Sequence, residues 1–244
     1  MKTPLLPIAS ALLLVTLNPP AAFAARTAGH TVAGHTPALQ PHKTYVLEVV
    51  VSEKGILLDF AGAAEAFREA ADTPFRIYYV AQSTQPVTLK GGMRIIPSFT
   101  FDDAPRPDYV LMGSQGTLRA PPNAIRWLQS LHAEHTTLVS VCTGSEWLAQ
   151  TGLLDNKQAT THHLTFDRFK QTYRDVKLVE GKRYVQSDPY IFTGAGFSSG
   201  MDLGLHIIDL RFGRDIAKRT ADRLEYRGTG WITNENHYSA GSGE

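Results

Sequence analysis

Thr137-Leu-Val-Ser-Val-Cys142-Thr-Gly-Ser-Glu-Trp-Leu-Ala-Gln-Thr151 is the stretch that decides how this 244-residue chain folds. Its first half, Leu138 to Val141, is an apolar, β-branched run of the kind found in strands buried on both faces. Its second half has a helical pattern, with Trp147, Leu148 and Thr151 on one side. Only Cys142, Thr143 and Gly144 lie between them, too few for a loop, so the chain must turn sharply at Cys142. Such a turn lifts the side chain out of the sheet and aims it at the first N–H groups of the helix. Those donors and the helix dipole favour a thiolate, so Cys142 is expected to be more acidic than a free thiol. An oxyanion formed beside it would meet ready-made donors. The alternative is a small buried core residue, which is what most free cysteines are.

The chain around this stretch carries a formal net charge of +1 and a single cysteine. A balanced charge gives no sign of a nucleic-acid surface. With one cysteine there can be no internal disulfide, so packing must hold the fold. The N-terminus reads as an export signal (1–24): Lys2, an apolar run from Leu5 to Leu17, and small residues at Ala22-Phe-Ala24. That run is too short for a membrane anchor, so no membrane association is expected once it is removed. The expected compartment is the bacterial periplasm or the outside. Residues 25–42, rich in Ala, Gly, Thr and His without a period, read as a disordered spacer. His30, His35 and His42 match no compact metal site, and neither a metal nor an organic cofactor is expected.

From residue 43 to 230, strand patterns alternate with helix patterns. Strands are expected at Tyr45–Val51, Phe75–Val80 and Asp108–Gly113, a hairpin about Lys90-Gly-Gly92, and a strand pair at Tyr184-Val185 and Tyr190–Thr193. Helices are expected from about Ala63 to Ala71, after Pro121-Pro122, from about Thr165 to Tyr173, from Met201 to Phe212 and from Arg214 to Tyr226. Leu57, Leu58 and Phe60 should anchor the first crossover, leaving Asp59 pointing towards the mouth at the strand ends, or serving only as a helix-entry cap, with Glu65 either solvent-facing or a second carboxylate near the site. Residues 231–244 read as a loose tail. The alternation predicts an α/β fold with a doubly wound, mostly parallel sheet flanked by helices, a flavodoxin-like sandwich. In such sheets the site lies outside the carboxyl ends of the strands, where Cys142, Asp59 and the Gly113-Ser-Gln-Gly116 loop all fall. Gly113 allows close backbone approach, making that loop a candidate oxyanion donor opposite Cys142.

Val139-Ser-Val-Cys-Thr-Gly144 together with Ala159-Thr-Thr-His162 resembles the ThiJ/PfpI superfamily, the class I glutamine-amidotransferase-like fold. Leu58-Asp-Phe-x-Gly62-x-x-Glu65-x-Phe67 is similar to the branch holding isonitrile hydratases and the sensor halves of AraC-type regulators. The resemblance implies that Cys142 is the elbow nucleophile, with Asp59 the carboxylate beside it. Thr143 would offer its backbone N–H and hydroxyl, and His162 would lie near the thiol. Gly113, Ser114 and Gly144 would then bind substrate or an oxyanion. Ser114 stands where relatives usually have a second glycine, and His163 where they often carry tryptophan or proline. The resemblance also implies a homodimer with a small-molecule substrate or ligand.

Two functions follow from the same residues. One is a cysteine-dependent hydratase or hydrolase, isonitrile hydratase-like, with Asp59 moving protons and Cys142 meeting an electrophilic carbon. The other is a non-catalytic periplasmic module that binds a ligand or senses oxidants through its single thiol.

Overall fold

The computed structural model describes residues 43–236; the expected export signal, the spacer and the last part of the expected tail lie outside them. The chain begins with β1 (Tyr45–Val50), α1 (Leu57–Arg68) and β2 (Phe75–Ala81). Three short strands follow, β3 (Val87–Thr88), β4 (Arg94–Ile95) and β5 (Phe99–Thr100), then β6 (Tyr109–Met112) and α2 (Pro122–Ala133). The elbow joins β7 (Thr137–Val141) to α3 (Gly144–Gln150). Beyond it run β8 (Gln158–Ala159), a 3-10 turn at His163–Thr165, α4 (Phe166–Thr172) and β9 (Lys177–Leu178). The last elements are β10 (Tyr184–Asp188), β11 (Ile191–Gly194), α5 (Ser199–Phe212), α6 (Arg214–Arg223) and α7 (Gly230–Thr233).

Seven strands form one sheet in the order β10-β11-β7-β6-β1-β2-β5. All neighbours are parallel except β10, which runs antiparallel to β11. The chain winds outward to one side from β1 and to the other from β6, so the crevice at this switch opens beyond their carboxyl ends. Alternation along the strands feeds two cores. Val139 and Val141 face a layer built with Phe60 and Phe67 of α1 and Leu203 and Ile207 of α5. Leu138 faces the opposite layer, with Leu128 of α2, Leu148 of α3 and Phe169 of α4. The doubly wound α/β sandwich expected from the strand–helix alternation is therefore present.

The first crossover differs from the sequence expectation. Helix α1 begins at Leu57, six residues early, and Leu57 and Leu58 are 39% and 51% exposed instead of anchoring the core. The buried face is Asp59, Phe60, Ala63, Ala64 and Phe67, a helical stripe of 3.6-residue period. Small residues decide this. A Cβ on Gly204 of α5 would lie 2.9 Å from Ala66 Cβ, so α1 and α5 pack too closely to admit leucines. Asp59 thus enters the interior inside the first helical turn and makes no N-cap. The region after Gly228, expected to be loose, holds α7, with Trp231 buried and its backbone oxygen accepting from the Tyr184 hydroxyl at 2.8 Å.

One core residue is costly. Glu48, in the middle of β1, is 0% exposed and neither carboxyl oxygen has a hydrogen-bond partner among the described residues. Burial pushes its pKa up to about 8. A carboxyl whose pKa is raised on folding is stabilising only while protonated. Its contribution is complete below the unfolded value near 4.5 and is lost as pH rises through about 8. Glu48→Gln is therefore expected to raise stability little at pH 4.5, and by a few kcal/mol (on the order of 1.4 per pH unit) by pH 8. Urea unfolding at the two pH values checks this, and an equal gain at both would contradict it.

Candidate active site

The site is built on the backbone of Cys142. Its φ is 59°, a left-handed conformation that a non-glycine residue holds only when its surroundings impose it. They do so from both sides. The Cys142 N–H faces the carbonyls of Gly194 and Ala195, at 3.1 and 2.9 Å. Its own carbonyl accepts from the hydroxyls of Ser145 and Thr161, each at 3.0 Å. The turn also requires glycine next door: a Cβ on Gly144 would lie 2.3 Å from the carbonyl oxygen of Met112. Gly144 is thus the contact that lets α3 start against the end of β6.

Asp59 is 0% exposed and reaches the thiol from the first turn of α1. Its Oδ2 accepts from the Ser114 backbone N–H at 3.0 Å, while Oδ1 has no hydrogen-bond partner among the described residues. The Ser114 N–H, expected from sequence to face an oxyanion, is therefore already used to hold the carboxylate. Gly113 is what allows it, since a Cβ there would stand 2.8 Å from Asp59 Cβ. The Ser114 hydroxyl accepts from Thr143 Oγ1 at 2.9 Å and lies within hydrogen-bonding reach of both Asp59 and the Cys142 sulfur. The Thr143 backbone N–H also points at that sulfur. Asp59, Ser114 and Thr143 are thus joined by hydrogen bonds beside the Cys142 sulfur.

The electrostatics overturn the expected acidic thiol. Cys142 is 4% exposed, and burial followed by the Asp59 charge pushes its pKa up to about 12, despite the donors from Ser114 and Thr143. Asp59 is also raised, chiefly by burial, against the lowering effect of its hydrogen bonds. Two buried acids side by side cannot both ionise cheaply, so burial and the neighbouring carboxylate keep the proton on the thiol. The turn geometry predicted from sequence is right. The acidity inferred from it fails because the helix-end donors are outweighed by desolvation and a neighbouring carboxylate.

His162 lies on the other side of the elbow. Its ring lies tilted against His163 at 4.5 Å, meets Phe197 edge-on at 5.4 Å, and accepts from the Leu164 N–H through Nδ1 at 3.3 Å. Burial and the neighbouring His163 lower its pKa, so the ring is neutral near pH 7. No direct contact joins it to the sulfur among the described residues. Gly196 fits against it so closely that a Cβ there would be 2.1 Å from His162 Cδ2. The Gly196-Phe197-Ser198 turn was not singled out from sequence, yet the Phe197 backbone is within hydrogen-bonding reach of Asp59. Phe197 is 41% exposed at φ 40°, and this conformation, invisible in a residue pattern, sets the mouth of the site. No group of three metal-ligating side chains converges among the described residues.

Comparison with known proteins places this geometry. The model of the DJ-1/PfpI family matches residues 47–210. An isonitrile hydratase of Pseudomonas putida is 30% identical over 172 residues, covering 69% of this chain and 73% of that protein. The HTH-type transcriptional regulator CdhR of Pseudomonas aeruginosa is 27% identical, over 69% of this chain and 51% of its own, so the match spans about half of that regulator. Among solved structures, a ThiJ/PfpI family protein from Pseudomonas syringae superposes with a TM-score of 0.67 at 26% identity, covering 87% of each chain. Drosophila melanogaster DJ-1beta, at 16% identity and a TM-score of 0.66, shares the fold. With the elbow, the sheet order and a family match over most of the chain in agreement, this protein belongs to the DJ-1/PfpI family.

Proposed function

We propose that the protein is a cysteine-dependent hydratase of small organic molecules, isonitrile hydratase-like, acting after export as a homodimer. The observation that carries this reading is the unexposed Asp59 carboxyl, held by the Ser114 N–H, whose charge acts on the neighbouring Cys142 thiol. A neutral thiol beside a carboxylate base needs no free thiolate, because the base takes the S–H proton as the bond to carbon forms. For an isonitrile, sulfur attacks the terminal carbon and Asp59 delivers the thiol proton to that carbon, giving a thioformimidate. Water then adds to the same carbon, Asp59 moving one of its protons to nitrogen. Collapse expels the sulfur, which recovers its proton, and releases an N-substituted formamide. The sum is one isonitrile plus one water, with no oxidant or reductant.

A ligand-binding module without turnover is the second reading, supported by the likeness to CdhR and by the burial of Cys142. Its redox form is disfavoured, because a thiol held at about 12 presents little thiolate to peroxide.

Cys142→Ala and Asp59→Asn are each expected to lower hydration of methyl isocyanoacetate by about a hundredfold or more, as loss of a nucleophile or general base does. Formamide release followed by NMR measures this, and unchanged rates in both variants would reject the reading. The wild-type rate should fall with decreasing pH through a midpoint above 3.8, since protonating the raised Asp59 removes the base. A rate independent of pH down to 3.8 would contradict that assignment. Asp59→Asn also removes the charge that holds the thiol proton, so the midpoint of Cys142 alkylation by iodoacetamide should move below about 12. A midpoint that stays or rises would show that the two groups are not coupled.

A further inference from the structure

Next along the chain from Ala195, whose carbonyl accepts from the Cys142 N–H, the Gly196–Ser199 turn lines a cavity of about 170 Å³ with His162, His163, Arg183 and Asn236; Cys142 itself does not line it. Arg183 is the one lining side chain with a permanent charge, and the topology explains its presence there. Because β10 runs antiparallel to β11, the start of β10 lies at the carboxyl end of the parallel strands. Arg183, just before β10, therefore stands at the mouth of the site. Its carbonyl accepts the Ala195 N–H at 2.8 Å, and the Ala195 carbonyl in turn accepts from Cys142 N–H. One backbone step thus separates the arginine from the elbow.

The guanidinium is held in place before any ligand arrives. Nε donates to Asp202, which is 1% exposed and also accepts from the Tyr226 hydroxyl at 2.9 Å. One Nη2 N–H reaches Ser198 Oγ at 3.2 Å. Gly230 packs on the stem, where a Cβ would come within 2.5 Å of Arg183 Cδ. The Nη1 donors make no hydrogen bond among the described residues. Asp202 is not among the residues that line the cavity, so a ligand meets the donor edge of the guanidinium and not its counter-charge. A neutral, apolar ligand would strip water from those N–H groups without replacing it, whereas a carboxylate would pair with them. The first N–H groups of α5 are spent on the Gly196 and Phe197 carbonyls, so the arginine supplies the recognition.

We propose that this cavity is the specificity pocket of the site and that it takes a small substrate bearing a carboxylate, read by Arg183. The inference rests on the reading of Cys142 as the reacting group and names the class of molecule that group receives. An isonitrile of this class places its terminal carbon at the sulfur and its carboxylate at the guanidinium. Arg183 acts by binding and takes no part in proton transfer.

Calorimetric titration with N-formylglycine, the hydration product of isocyanoacetate, and with its methyl ester tests binding apart from turnover. The acid is expected to bind at least about tenfold more tightly than the ester, the usual scale for a charge-assisted pair that the neutral analogue lacks. Arg183→Lys keeps a cation for Asp202 but loses the Nη1 fork, and Asn236→Asp adds a negative charge at the pocket wall. Both should bring the acid-to-ester ratio close to one. Equal affinities in the wild type, or a ratio unchanged in both variants, would overturn the proposal. Hydration of isocyanoacetate against its methyl ester separates it from the reading on which it rests. Turnover of the ester with no gain for the acid removes the Arg183 pocket and leaves the hydratase standing. Selective binding of the acid without turnover of either isonitrile keeps the pocket and removes the hydratase.

Discussion

The backbone of Cys142 is the constraint on which the rest of the structure depends. A non-glycine residue in the left-handed region costs about 1–3 kcal/mol and persists only where its neighbours over-determine it. Here the amide faces two carbonyls at the end of β11, and the carbonyl is taken by Ser145 and Thr161. The Ala159-Thr-Thr-His162 segment thereby acquires a physical role: Thr161 pins the elbow from outside the sheet. Gly144 completes the arrangement by letting the new helix begin against β6. Three separated pieces of chain converge on one residue, and the sulfur is placed by their sum.

With the sulfur fixed, the chemistry is set by its partner. Asp59 is carried in by the first turn of α1, which sits deep because α1 and α5 meet through alanines and glycines. The Ser114 amide accounts for one carboxyl oxygen and leaves the other without a hydrogen-bond partner among the described residues. A desolvated thiol beside a desolvated carboxylate keeps its proton far beyond neutral pH. The site therefore holds a neutral thiol rather than displaying a stable thiolate.

Much of this was legible in the sequence for a definite reason. A strand buried on both faces must be apolar at successive positions, and a strand that enters a helix without a loop must bend at the residue between. Leu138–Val141 followed by Cys142-Thr-Gly144 satisfies both conditions, so the sheet, the elbow and the nucleophile candidate could be read directly. Asp59 could be located through the crossover motif, although the helix holding it begins earlier than its residue pattern suggested. Leu57 and Leu58 misled because hydrophobicity does not say which face of a helix meets a neighbour too close to admit a large side chain.

The sequence by itself determined the layer architecture, the place of the bend and the side chain that stands at it, because these follow from local periodicity and from steric demands within a few residues. Only the tertiary structure decided the protonation of the pair, the use of the Ser114 amide and the arrival of Arg183 and Phe197 at the mouth. Each of these depends on groups distant in the chain, on desolvation and on strand direction. Burial and approach of that kind are properties of the assembled sheet, which no short window of residues contains.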